Sequence, residues 1–321
     1  MRVGIDIGGT KTHAILLEEG EIVDELVTVS GRGEEGVVRG TLDVLRALAQ
    51  RHGSALDGSA FRTIGIGIPG TVDVGTGVIT HAVNLGIRGA GLPLRQRLRE
   101  ATGIEVSVDN DVKATALGAA STLGLLAHHD VTYLNVGTGV AAATTLDGAI
   151  LRGVGSMAGE IGHLSVDPQG EKCICGQTGC LETILGGGSI ERRLRAVDED
   201  LTPTDLFLDR PRIPGLARER ERVVGALAHA CTLLATTYGA DTIVLGGGVI
   251  RHVDGLVEAA VSLLERRAEQ SPFLAALAVA ERLVTVPSSL PIAALGAAVV
   301  GIPEGERRRT ALPSAQTRSR P

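Results

Sequence analysis

The sequence predicts an α/β protein built from two similar lobes, and three observations lead to that prediction. The chain has 321 residues, which is enough for two domains. Short β-branched runs alternate with apolar residues at helical spacing along much of the chain, as they do in α/β folds. A unit of strand, glycine turn and strand also occurs twice. Duplication at domain length indicates two lobes that face each other across a cleft.

The duplicated unit has nearly the same internal spacing in both copies. Gly137 follows Gly8 by 129 positions, and Gly148 follows Gly20 by 128 positions. The copies are the strands Val3–Ile7 and Thr12–Leu17 around Gly8-Gly9-Thr10-Lys11, and the strands that flank Gly137-Thr138-Gly139. Backbone N–H groups at such a turn can cradle a phosphate. One turn alone fits an ordinary hairpin equally well, but two turns at a cleft suit a nucleoside triphosphate.

The remaining elements follow from apolar periodicity and from glycine and proline breaks. We predict helices over residues 41–51, 94–101, 112–123, 223–237 and 292–300, and strands over 63–68, 106–108, 242–245 and 283–286. Asn84 ends a turn and short strand that begin at Gly75. The run Gly246-Gly247-Gly248 fits either a tight strand-to-helix turn or a close backbone approach to a flat ligand such as adenine.

Three polar residues, Asp109-Asn110-Asp111, directly follow the strand over 106–108. Ligands of α/β folds bind at the carboxyl ends of strands. A polar residue before a helix can also simply cap it. With three such residues in a row, we expect one to cap the helix and another to act on the ligand. A carboxylate placed on a sugar hydroxyl can accept its proton during phosphoryl transfer.

The stretch from Gly159 to Glu182 contains three of the four cysteines. With His163 they form a Cys₃His set, which suits tetrahedral Zn²⁺; the cysteines are Cys173, Cys175 and Cys180. Buried cysteines without a metal, or a disulfide, are the less favoured interpretations, because no signal peptide indicates an oxidising compartment. Glu160 and Glu182 flank the set. A metal that fixes His163 and Cys180 would also preorganise both carboxylates for a hydroxyl-rich ligand.

Composition narrows the class of function. The net charge of −6 argues against nucleic acid as the main partner. No apolar run reaches membrane-spanning length, so we expect a soluble, cytoplasmic protein. We place a small N-terminal lobe at 1–112 plus 290–303 and a larger lobe with the zinc-binding stretch at 113–289. The polar residues 304–321 read as a disordered tail.

Together these stretches resemble the ROK family of sugar kinases and sugar-responsive repressors. The matching residues are D-I-G-G-T-K at 6–11, G-I-P-G at 67–70, N-D at 110–111, G-T-G at 137–139, G-E-I-G-H at 159–163, C-I-C-G-Q-T-G-C-L-E at 173–182 and L-G-G-G at 245–248. The cysteine-rich stretch is the most specific of them. The glycine turns are shared more widely among actin-like ATPases.

The resemblance implies two ribonuclease-H-like lobes, a homodimer, and ATP, Mg²⁺ and structural Zn²⁺ as cofactors. It implies that Asp111 is the catalytic base. The sugar would be bound by Gly70, Asn84, Asn110, Asp111, Glu160, His163 and Glu182. ATP and Mg²⁺ would be bound by Asp6, Gly8, Gly9, Thr10, Lys11, Gly137, Thr138, Gly246 and Gly247. Zinc would be bound by His163, Cys173, Cys175 and Cys180.

The chain also departs from the family pattern without losing a catalytic group. Val112-Lys113 follows Asn110-Asp111 where the family often has Ala-Asn, Ala119 replaces a common Glu, and no Trp follows Asn84. The last two departures leave the sugar open: glucose, mannose, fructose or an N-acetylhexosamine.

Two other classes of protein compete with a glucokinase-like enzyme. A non-catalytic, sugar-responsive regulator would carry an N-terminal helix-turn-helix, for which the strand at Val3 leaves no room. An actin-like ATPase without sugar chemistry would not need carboxylates braced by a metal.

Overall fold

A computed structural model describes residues 1–57, 61–89, 91–126, 129–208, 213 and 215–307. The chain forms two compact units. Within the described ranges, unit 1 comprises residues 1–129, 145–158 and those from 289 onward, and unit 2 comprises residues 130–144 and 159–288. The chain therefore passes between the units more than once, and each unit is assembled from separate stretches of sequence.

The described strands are β1 (Arg2–Ile7), β2 (Lys11–Glu18), β3 (Glu21–Val29), β4 (Thr63–Ile68), β5 (Thr71–Asp73), β6 (Val78–Thr80), β7 (Leu92–Pro93), β8 (Glu105–Asn110), β9 (Val131–Val136), β10 (Val140–Leu146), β11 (Ala149–Ile150), β12 (Thr242–Gly246) and β13 (Leu283–Thr285). The described helices are α1 (Gly33–Arg51), α2 (Leu94–Thr102), α3 (Asp111–Thr122), α4 (Leu181–Leu185), α5 (Gly187–Val197), α6 (Leu216–Tyr238), α7 (Gly248–His252), α8 (Leu256–Glu269), α9 (Pro272–Leu277), α10 (Ile292–Val300) and α11 (Glu304–Arg307).

Two five-stranded sheets share one strand order, which confirms the predicted α/β fold and its duplication. The first sheet has the order β3-β2-β1-β4-β8 and the second the order β11-β10-β9-β12-β13. In the first, β1 and β2 are antiparallel, whereas β1, β4 and β8 are parallel. In the second, β9, β12 and β13 are likewise parallel. A short three-stranded sheet, β5-β6-β7, belongs to unit 1.

Small residues let helices lie directly on the sheet and on each other in unit 1. A Cβ at Gly4 of β1 or at Gly65 of β4 would overlap the backbone of α10. A Cβ at Gly118 of α3 would overlap the same helix, at Ile292. Because such contacts leave no room for side chains, α3 and α10 are fixed against each other and against β1 and β4.

Because of this packing, the observed boundary between the units differs from the predicted one. The sequence prediction ends the first lobe at residue 112, but α3 packs on α10 and belongs to unit 1, which continues to residue 129. Residues 145–158 also belong to unit 1 rather than to the second lobe. Strand spacing alone does not reveal this division, because it depends on which sheet a helix covers.

The predicted disordered tail begins too early. Residues Glu304–Arg307 form α11, and the Arg307 guanidinium donates to the carbonyl of Ile302, with Nε 2.9 Å from the oxygen. Residues 308–321 lie outside the described residues. The strand β3 and the helix α8 were not predicted from the sequence. Within the described ranges, no helix is both long enough and apolar enough to span a membrane.

Candidate active site

The glycine turn of unit 1 joins β1 to β2. The Gly8 N–H donates to the Lys11 carbonyl at 2.9 Å, and Thr10 and Lys11 are exposed at the tip. A Cβ at Gly9 would lie 3.2 Å from Asn84 Cβ. The structure therefore brings the predicted sugar residue Asn84 next to the predicted phosphate turn within unit 1.

Asn110 is the residue that caps α3. Its side-chain oxygen accepts the N–H groups of Val112 and Lys113 at 3.0 and 3.2 Å, satisfying donors that have no partner within the helix. Its Nδ2 donates to the Gly70 carbonyl at 3.1 Å. One side chain thus connects two predicted sugar residues, Asn110 and Gly70, and fixes the start of α3.

Asp111 is the first residue of α3 and is half-buried. Its Oδ1 accepts the Val112 N–H at 2.9 Å. The partial positive charge of the helix N-terminus favours the ionised carboxylate at this position. An ionised carboxylate is the form that can accept a proton.

Gly67 lies between the backbone of Asp111 and the carboxylate of Asp6. A Cβ at this position in β4 would lie 3.5 Å from Asp111 Cα and 3.9 Å from Asp6 Oδ1. The predicted base and the predicted Mg²⁺ residue are therefore neighbours across a glycine. Gly67 belongs to the G-I-P-G motif, but the motif by itself does not predict this role.

Asp109 is the third polar residue after β8, and it is almost completely buried. Arg152 donates to both of its carboxylate oxygens, with nitrogen–oxygen distances of 2.9 and 2.8 Å. Oδ1 also accepts the Asn110 N–H at 2.8 Å. This ion pair holds the backbone immediately before the α3 cap. Arg152 was missed by sequence analysis, because no motif indicates which arginine faces a buried acid.

Unit 2 gathers the predicted zinc ligands. The ligand atoms of His163, Cys173, Cys175 and Cys180 all lie within 4.8 Å of one another. The two sulfurs of Cys175 and Cys180 are 3.6 Å apart, and His163 Nδ1 is 3.7 Å from the Cys173 sulfur. Two thiolates on one tetrahedral Zn²⁺ lie about 3.8 Å apart. The donor set therefore fits zinc, with Nδ1 as the histidine ligand atom.

The thiols of this cluster differ in acidity. Hydrogen bonds from the backbone N–H and side chain of Gln177 lower the pKa of Cys175 to about 6, because they favour the thiolate. Burial raises the pKa of Cys180 to about 12. A metal that binds Cys180 must displace a proton, so its binding tightens as pH rises.

Two glycines hold the G-E-I-G-H stretch against β10. A Cβ at Gly159 would overlap the Ala142 carbonyl, and a Cβ at Gly162 would overlap the Val140 carbonyl. The Ala142 N–H donates to the Gly159 carbonyl at 2.8 Å. Glu160 and His163 are thereby placed beside the strand that follows the second glycine turn. Glu160 is exposed and His163 is half-buried.

The glycine turn of unit 2 is enclosed by backbone and by one carboxylate. The Gly137 N–H donates to the Gly139 carbonyl at 2.9 Å, and the Gly137 carbonyl accepts the Gly187 N–H at 2.8 Å. Glu182 Oε2 accepts the Val140 N–H at 2.9 Å. Glu182, predicted to bind sugar, therefore also contacts the predicted phosphate turn.

The third glycine run lies beside the same turn. Gly247 has a φ of 95° and a Cβ there would overlap the Val136 carbonyl; a Cβ at Gly246 would overlap the Tyr133 ring. Both glycines are needed where β12 approaches the end of β9. This close packing supports the structural interpretation of the run and leaves its adenine role a prediction.

The chain is similar in sequence and in structure to proteins of one known family. The model of the ROK family matches residues 2–299. The glucokinase of Halalkalibacterium halodurans is 35% identical over 80% of this chain and 82% of its own length. The N-acetylmannosamine kinase of Vibrio cholerae is 29% identical over 84% of this chain and 90% of its own length. The ROK hexokinase of Thermus thermophilus superposes with a TM-score of 0.77 and 28% identity, covering 94% of this chain and 97% of that one.

Proposed function

The chain belongs to the ROK family, and from that premise we propose that it is an ATP-dependent sugar kinase. It transfers the γ-phosphoryl group of MgATP to the 6-hydroxyl of a hexose, as a glucokinase does. The named relatives include sugar kinases, and the placement of Asp111 is the observation that supports the chemistry most directly.

Asp111 has the position that a general base needs. It follows the carboxyl end of β8, the outermost strand of its sheet, and begins α3, next to Asn110, whose cap and bond to Gly70 fix the local backbone. The neighbouring Asp6 suits Mg²⁺, which prefers carboxylate oxygens and water. A base beside a magnesium ligand fits phosphoryl transfer, in which positioning and charge neutralisation supply most of the rate.

The other predicted residues have supporting roles. The turns Gly8–Lys11 and Gly137-Thr138 bind the phosphates of ATP, and Gly246-Gly247 lie beside the adenosine. Gly70, Asn84, Asn110, Glu160, His163 and Glu182 bind sugar hydroxyl groups. Zinc is structural: when bound, it orders its loop, and its four positions are filled by protein ligands. His163 binds it through Nδ1, which leaves Nε2 for the sugar.

The identity of the sugar is a more specific proposal. Glucose is the first choice, since the glucokinase relative has the higher identity of the two kinases compared. An N-acetylhexosamine, mannose or fructose is the alternative. We also propose a homodimer, which sedimentation velocity at several concentrations would test.

The deciding experiment measures ADP release by the purified protein with MgATP across hexoses and N-acetylhexosamines, with Asp111→Asn as the control variant. We expect turnover on one sugar that the control lacks. Sugar binding by calorimetry without turnover on any sugar would contradict the kinase assignment and support a sugar-responsive regulator.

A further inference from the structure

The segment Cys180–Gly187 connects the predicted zinc site of unit 2 to its glycine turn. Cys180 is both a predicted zinc ligand and the residue before α4. Glu182 lies two positions later in α4, and Gly187 opens α5. Both make hydrogen bonds to the turn. The two residues that contact the turn therefore lie only two and seven positions after the predicted metal ligand Cys180.

The two hydrogen bonds act at opposite ends of the turn. The Gly187 N–H donates to the Gly137 carbonyl, and Glu182 Oε2 accepts the N–H of Val140, the first residue after Gly139. Val140 is buried, so its N–H would have no ready substitute partner in water. These contacts fix both ends of a loop whose own N–H groups are proposed to face phosphate.

The packing leaves little freedom for this loop to move. A Cβ at Gly139 would overlap Glu182 Oε2, and a Cβ at Gly186 would lie 2.9 Å from the Thr138 carbonyl. A Cβ at Gly187 would lie 2.9 Å from the Gly137 carbonyl. Close backbone contact on one side and a carboxylate on the other hold the turn in one conformation. A preorganised loop loses less entropy when it binds a ligand.

We propose that Glu182 is a positioning residue for the nucleotide as well as a ligand of the sugar. One carboxylate oxygen holds the phosphate turn through the Val140 N–H, so nucleotide affinity depends on Glu182 even when no sugar is present. The inference rests on the proposed kinase function. It differs from a role in sugar binding alone, which predicts that nucleotide affinity without sugar does not change.

The test measures binding of Mg²⁺ and the non-hydrolysable analogue AMPPNP by calorimetry, without sugar, to the zinc-loaded protein. Glu182→Ala removes the acceptor, and we expect AMPPNP to bind about tenfold more weakly, as loss of one bond to a buried N–H implies. Glu182→Gln keeps a carbonyl oxygen in the same place, and we expect it to bind AMPPNP within about threefold of wild type.

Sugar affinity provides the second readout. Both Glu182 variants should bind sugar more weakly, because each loses the carboxylate. Glu160→Ala is the matched control: Glu160 is exposed and flanks the same zinc site, so its loss should weaken sugar binding and leave AMPPNP affinity unchanged. Thermal unfolding of each variant separates altered binding from altered folding.

Two results would overturn the inference. One is wild-type AMPPNP affinity in Glu182→Ala; the other is a Glu182→Gln variant as weak as Glu182→Ala, since its acceptor remains. Failure of the wild-type protein to bind AMPPNP would refute the proposed kinase function instead, so the two failures are distinguishable.

Discussion

The two glycine turns occupy equivalent positions in their sheets, but different residues contact them. Each joins the first two strands of a sheet with one common order, and each closes with a 2.9 Å backbone hydrogen bond. Outside its own hydrogen bond, the turn at Gly8 accepts the Ser30 N–H on the Thr10 carbonyl at 3.0 Å and lies next to Asn84 at Gly9. The turn at Gly137 is held by the Glu182 carboxylate, through the Val140 N–H, and by the Gly187 N–H. The duplicated framework thus keeps its strand order, whereas the hydrogen bond that closes the turn and the residues around it differ.

The polar residues around the turns differ in the same way. In unit 1 a helix cap and the Asp109–Arg152 ion pair fix the residues around Asp111. In unit 2 a Cys₃His cluster lies among the residues around Glu160 and Glu182. Under the proposed function, the base belongs to unit 1 and the carboxylates beside the predicted metal site belong to unit 2. Four predictions test that difference, in order of decreasing effect.

The largest effect should come from Asp111→Asn. Loss of a general base lowers kcat by about a thousandfold. Because Asn retains an oxygen for the Val112 N–H, stability should change little. Steady-state kinetics and thermal unfolding measure the two quantities. A variant that keeps most of its kcat would show that Asp111 is not the general base.

The ion pair of unit 1 should matter for stability. Arg152→Met leaves the buried Asp109 carboxylate without its charged partner, which should lower the free energy of unfolding by about 3 kcal/mol in urea titrations. The double variant Arg152→Met/Asp109→Asn should recover part of that loss. Arg46→Met is the control, since the Arg46–Asp43 pair is exposed and worth at most about 0.5 kcal/mol. Equal losses in Arg152→Met and Arg46→Met would contradict the prediction.

The metal should matter for ligand binding in unit 2. Cys175 is the exposed cysteine of the cluster, so Cys175→Ser disturbs packing least. We expect lost zinc, measured by metal analysis, and sugar affinity reduced about tenfold or more. Cys231→Ser, at a buried cysteine outside the cluster, should keep its zinc. Normal sugar affinity in a zinc-free Cys175→Ser protein would refute the metal's supporting role.

The smallest effects are expected from single substitutions in the two glycine turns. Gly139→Ala pushes the Glu182 carboxylate away from Val140 and should weaken AMPPNP binding about tenfold. The nearest atom to the Cβ of Gly9→Ala is Asn84 Cβ at 3.2 Å. A small shift relieves this contact, so we expect a change of about twofold or less. If calorimetric titration shows equal losses of AMPPNP affinity in the two variants, the Glu182 contact does not distinguish the two turns.

Much of the framework could be predicted from local pattern. The repeated strand–glycine–strand unit predicted the duplicated α/β fold, and the spacing of Cys173, Cys175 and Cys180 predicted a cluster that the structure brings together with His163. The strand β4 and the helix α10 were predicted with the bounds that the structure has. These features depend on residues near one another in sequence, where periodicity and turn chemistry act directly.

Long-range contacts were decided only by the tertiary structure. The Asp109–Arg152 pair joins residues 43 positions apart, and the Glu182–Val140 bond joins residues 42 apart. The assignment of α3 to unit 1 depends on glycines in α3 and α10, far apart in sequence. The sequence alone determined which chemical groups are present and which local elements carry them. Which buried acid meets which arginine, and which carboxylate holds which turn, depends on packing, because burial of a charge selects a partner by position and not by sequence distance.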